Sequence, residues 1–176
     1  MMRLRRRSQN LFDERNITMT ALDLQDELAK EVKNILKDIM TLNAAGERVS
    51  GVQVYKQNLP IIMSGEEDES KFLPYAIVRL AEGKTEDDDS PWSVTVDMLF
   101  GAYDPGEANQ GHQHIMVMCQ RVTDRFAAEP LLAGKFRAEQ DMEWVMQEED
   151  TYPYYFGGVR MKFNTPKIER RDPFYG

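Results

Sequence analysis

Trp92-Ser93-Val94-Thr95-Val96-Asp97-Met98-Leu99-Phe100-Gly101 is the stretch on which the fold turns. In an extended chain Trp92, Val94, Val96, Met98 and Phe100 share one side, while Ser93, Thr95 and Asp97 share the other. That period of two predicts a half-buried strand over 92–101. Upstream, Pro74 to Leu80 carries Tyr75, Ala76, Ile77, Val78 and Leu80, which predicts a second, strongly apolar strand. An acidic stretch, Glu86-Asp87-Asp88-Asp89, joins the two, so residues 74–101 read as a hairpin with a long connection.

Working outward, Asp104-Pro105-Gly106 breaks the chain, and Ile115, Met118, Cys119, Val122 and Phe126 form the apolar stripe of a helix over 108–127. Pro130 and Gly134 close that region. Met142 to Gln147 and Phe156 to Asn164 predict two further strands. In the second, Val159, Met161 and Phe163 alternate with Arg160, Lys162 and Asn164. Toward the N-terminus, Leu24, Leu28, Val32, Ile35, Leu36 and Ile39 recur at helical spacing behind a Thr20 cap. They predict a helix over 21–41, ended by Asn43 and Gly46. Val52 to Gln57 reads as a short strand. Leu59-Pro60-Ile61-Ile62-Met63 reads as an edge strand or packed loop, and Glu66-Glu67-Asp68-Glu69 as a charged loop. Consecutive strands without crossover helices favour antiparallel pairing, so the expected fold class is α+β: a mainly antiparallel sheet packed against two helices.

The division that follows is a basic segment 1–19 without regular pattern, a single α+β domain over 20–165, and a Pro- and charge-rich C-terminal arm over 166–176. The 176 residues carry a net charge of −8, yet residues 1–19 hold five arginines against two acids, leaving −11 on the rest. An acidic body repels the phosphate backbone and argues against ordinary nucleic-acid binding. Two readings stand for the basic head: a contact for nucleic acid or another negative partner, and a disordered tail, with Met19 as an alternative start. Arg3, Arg5, Arg6 and Arg7 are followed by no apolar run, so a secretory signal is not expected. No apolar stretch approaches the length of a membrane-spanning helix. The single cysteine excludes an intrachain disulfide and a cysteine zinc cluster, and fits a reducing compartment.

Chemistry-bearing residues are sparse. His112 and His114, two apart on a helix, diverge too far to share a metal. Cys119 sits in an apolar stripe and reads as core. There is no nucleophile elbow, phosphate loop or dinucleotide fingerprint. No cofactor, metal or catalytic residue is therefore expected. The acidic loops, Glu66 to Glu69 and Glu86 to Asp89, lack the alternating pattern of a calcium loop. They read as solvated charge, or as a negative rim or lumen multiplied by a ring of subunits. Tyr152-Pro153-Tyr154-Tyr155-Phe156 places four rings in five positions. They read either as strand-end core or as contact surface, since one small core cannot take them all.

The segment order resembles the tail terminator, or tail completion, proteins of long-tailed non-contractile phages and prophages. The residues that carry it are Pro74-Tyr75-Ala76-Ile77-Val78-Arg79-Leu80, Trp92 to Tyr103, Asn109-Gln110-Gly111-His112-Gln113, Trp144 to Asp150, Tyr152 to Gly157 and Pro166 to Pro173. The resemblance spans residues 20–173 and rests on order, not on a catalytic signature. It implies an α+β subunit of a ring, typically a hexamer, assembled in the host cytoplasm and resident in the virion tail. Such a ring ends tail-tube polymerisation and meets the head-completion or connector protein, with DNA only passing through its lumen. It implies no enzyme activity. Tyr152, Tyr154, Tyr155, Phe174 and Tyr175 are the expected subunit or tube contacts. Two alternatives remain: a head-tail connector, neck or tail-tube subunit, and a small metal-dependent hydrolase or nuclease built on Asp87, Asp88, Asp89 and Asp97.

Overall fold

The computed structural model describes residues 20–63, 65 and 67–166. The expectations for the basic segment 1–19, for the arm beyond Pro166 including Phe174 and Tyr175, and for Glu66 lie outside the described residues. Thr20 caps helix α1 (Ala21–Ile35) reciprocally. Its side chain accepts from the Asp23 N–H, and the Asp23 carboxylate accepts from the Thr20 N–H at 2.8 Å. Two otherwise orphaned donors are thereby satisfied.

The apolar spacing predicts a helix to residue 41, but α1 stops at Ile35 with Leu36 as its cap. Leu36 and Ile39 remain buried, so they extend the apolar series without being helical. Strand β1 (Met40–Leu42) follows and pairs with β2 (Arg48–Ser50). Asn43 and Gly46 make this hairpin. The Asn43 side-chain oxygen accepts from the Ala45 and Glu47 N–H groups at 3.0 and 2.9 Å, and Gly46 supplies φ of +80°. Asn43 and Gly46 therefore close a hairpin loop and do not end the helix.

The remaining elements are β3 (Gln53–Lys56), a 3-10 turn (Glu69–Phe72), β4 (Tyr75–Lys84), β5 (Ser93–Tyr103), α2 (His112–Ala128), β6 (Leu131–Leu132), β7 (Phe136–Met146) and β8 (Tyr154–Asn164). The main sheet runs β3-β4-β5-β8-β7-β6, and the β1–β2 hairpin joins β5 where Leu42 faces Tyr103. At its centre Val96 of β5 lies between Leu80 of β4 and Met161 of β8. The fold is α+β with a mainly antiparallel sheet against two helices, as the alternation predicts. One pair departs from it: β3 runs parallel to β4. The charged loop and Leu59-Pro60 belong to the crossover between them, and Leu59, Phe72 and Leu73 pack beside Tyr75 and Ile77. Ile61 and Met63 are exposed, so the apolar run 59–63 is not an edge strand.

Both helices cover one face of the sheet. Leu24, Leu28 and Val32 of α1 and Ile115, Met118, Cys119, Val122 and Phe126 of α2 bury against Val78, Val96, Met98, Val159, Met161 and Phe163. Phe126 meets Phe163 edge-on, with ring centres 5.2 Å apart. Each such side chain contributes about 1.5–3 kcal/mol through removal from water. Gln25 of α1 is buried among them, and its amide donates to the Val78 carbonyl at 2.9 Å and to Gln57 at 3.1 Å. Trp92 leaves the expected apolar row: β5 begins one residue later, and its half-exposed ring lies over Gly83 at the sheet's end.

Candidate interaction surfaces

The second face of the sheet carries no helix. Alternation that sends Val96 and Met98 to the helices sends Asp97 and Leu99 to this side. Tyr75, Ile77, Leu99 and Phe156 gather there with the crossover residues Leu59 and Leu73 into a separate apolar cluster. An open groove of about 690 Å³ runs over this face. One half is apolar, with Tyr75, Ile77, Leu99, Phe156 and Val145; the other is charged, with Arg79, Asp97, Glu143 and Arg160. Arg160 grips Asp97 with two hydrogen bonds of 2.7 and 3.0 Å across the β5–β8 pair. Gly158 helps to floor the groove because a Cβ there would stand 2.6 Å from the Met98 carbonyl oxygen.

The aromatic run splits between surfaces. Tyr152 is 46% exposed in the turn before β8, and its hydroxyl donates to the Pro105 carbonyl at 2.8 Å. Tyr154 turns to the helix-free side, where its ring lies 5.7 Å from that of Tyr103. Tyr155 turns to the helix side. It packs on the main core, covers Gly111 at the start of α2, and donates its hydroxyl to Asn109 at 2.5 Å. A Cβ on residue 111 would lie 2.2 Å from the Tyr155 ring, so that glycine makes room for it. The three tyrosines therefore do not form one patch.

The acidic loops lie at opposite ends of β4, which separates them by about 30 Å at some 3.3 Å per residue. In the first, Asp68 caps the 3-10 turn by accepting from the Ser70 N–H at 2.9 Å, and Glu67 pairs with Lys71. The Ser70 hydroxyl bond comes first among the causes that hold the Asp68 carboxyl below its ordinary range. In the second, the Asp87 carboxylate accepts from the Asp89 N–H at 2.8 Å, and Thr85 donates to the Asp87 carbonyl at 2.8 Å. Asp97 sits four residues into β5 and is engaged by Arg160, away from the loop that holds Asp87 to Asp89.

Cys119 is fully buried, and burial pushes its thiol from 9.0 up to about 11. His112 opens α2, and His114 approaches Asp104 at 3.3 Å. Among the described residues no group of three or more His, Cys, Asp or Glu is arranged to hold a metal ion. No described helix is long and apolar enough to cross a membrane.

The strand expected over 142–147 is the second half of β7, and it exposes two large apolar side chains that its pattern does not announce. Trp144 and Val145, adjacent and therefore on opposite sides of β7, are 52% and 58% exposed. The available signal was two large apolar neighbours inside a run of acids, Glu143-Trp144-Val145-Met146-Gln147-Glu148. No family model and no curated protein matches this chain.

Proposed function

We propose that this protein is a structural virion subunit that caps the tail tube of a long-tailed phage or prophage as a ring. In that role it ends tube polymerisation and offers the surface that joins the head. The observation that carries the reading is a sheet with one face packed by helices and the other left as an open, half-apolar groove bordered by exposed Val145. Exposed apolar surface of this kind fits contact with another chain. The segment order quoted above adds the resemblance to tail terminators. In this reading the two acidic loops form separate negative belts, one at each end of the sheet, and like charge around a channel keeps the DNA backbone from adhering during passage.

Removing the gene from the producing phage or prophage tests the proposal. Tails without attached heads and of abnormal length are the expected result. Tails of normal length joined to heads would count against it. A connector or neck role would instead leave tail length normal while abolishing joining. A tube role would remove the tails altogether.

A further inference from the structure

The outer edge of β7 is the least explained feature of the fold. β6 covers only its first two residues, through Leu131↔Arg137 and Leu132↔Phe136. On the inner side the pairing with β8 breaks between Ala138 and Met142 and resumes from Met142 to Met146. Among the described residues no strand lies along the outer side of Met142–Met146. An unpaired edge presents backbone donors and acceptors ready for another strand. Here it also carries Val145, 58% exposed on the helix-free side.

Charge decides what can dock. Residues 139–150 hold six carboxylates and no lysine or arginine. Two such edges brought together across a two-fold axis would face acid with acid, which is unfavourable. The opposite edge of the sheet differs: the four residues of β3, Gln53–Lys56, include no carboxylate. β3 has β4 as its only described strand partner, and its last residue, Lys56, pairs with Asp26 of α1 at 2.6 Å. The lengths agree, four residues in β3 against five open positions in β7. The directions agree as well. Following the sheet from β3 to β7, β3 runs antiparallel to β7, so a neighbour that continues the sheet would pair antiparallel.

We propose that a second copy of this chain docks its β3 edge on Met142–Met146 of β7, extending one sheet into the next. The contact is head to tail, so repetition closes a ring or continues as a helix, whereas self-pairing would stop at a dimer. It rests on the ring reading and assigns that ring its contact. Backbone hydrogen bonds supply the pairing, Val145 supplies apolar cover, and the absence of acid on β3 lets it meet the acidic β7 edge without the like-charge repulsion of a self-pair.

Cysteine cross-linking tests it, because the one native thiol is buried and introduced thiols report alone. Val145 and Gln53 are both exposed, and Gln53, two residues from Tyr55 in β3, shares its side, the side of the helix-free cluster. In the full chain, V145C with Q53C should give a ladder of disulfide-linked multimers on oxidation, and each single variant should give none. E143C with Q53C covers a register shifted by two residues, and circular dichroism checks that each variant folds. Dimers from V145C alone would overturn the proposal by showing that like edges pair. Rings on tails whose subunits cross-link through neither pair would overturn this contact and leave the ring reading standing. Folded protein that never associates, in solution or on tails, would remove both.

Discussion

Tyr155 and Gly158 show how single positions are held. Tyr155→Ser should lower stability by at least about 1 kcal/mol, because the ring fills the space that Gly111 leaves and its hydroxyl is bonded to Asn109. Chemical denaturation checks this; an unchanged midpoint would mean that the ring serves only an outside partner. Gly158→Ala sets a Cβ 2.6 Å from a strand carbonyl that cannot swing aside, and about 1–3 kcal/mol of overpacking cost is expected in the same experiment. Cys119 should resist thiol reagents at pH 8 in the native protein and react on unfolding, since burial holds the neutral thiol. Its folded value lies above the ordinary one, so the neutral form is favoured on folding. The associated stability is present below pH 9 and is lost as pH rises through about 11. A melting temperature flat across that interval would contradict the assignment.

At the level of elements, Phe126→Ala should cost about 3–5 kcal/mol, because Phe126 is buried against Phe163 and joins α2 to β8. A thermal melt that moves by less than a degree would show that the helix is not seated there. Which elements were legible follows from how they are stabilised. β5 and β8 could be read because each buries one face against helices, which imposes strict alternation on Val94, Val96, Met98 and on Val159, Met161, Phe163. α2 was legible for the same reason at period 3.6. The β1–β2 hairpin was not, because three-residue strands carry no periodicity and Leu36 and Ile39 continue the helical spacing beyond the helix. The first half of β7 escaped because its pairing breaks between Ala138 and Met142, scrambling the pattern. The parallel β3–β4 pair depends on a crossover held by Leu59, Phe72 and Leu73, and nothing local to either strand encodes that direction. The surface features were harder still. Tyr152, Tyr154 and Tyr155 form a run in sequence, but strand alternation sends Tyr154 and Tyr155 to opposite sides.

For the whole molecule the governing fact is asymmetry: helices on one face of the sheet, an open groove on the other, an acidic outer strand at one edge, and a β3 edge without carboxylates at the other. A subunit with two unlike edges is suited to repeat around an axis, and a ring on a tube is one way to close that repetition. The acidic loops at the two ends of β4 would then form two belts stacked along the axis, not one. Electron cryomicroscopy of assembled tails, with this chain located in the density, tests the central claim most directly. The ring reading requires the sheet of residues 75–164 in a closed ring at the head-proximal end of the tube. This chain scattered along the tail, bound without defined position, or absent from the particle would contradict it.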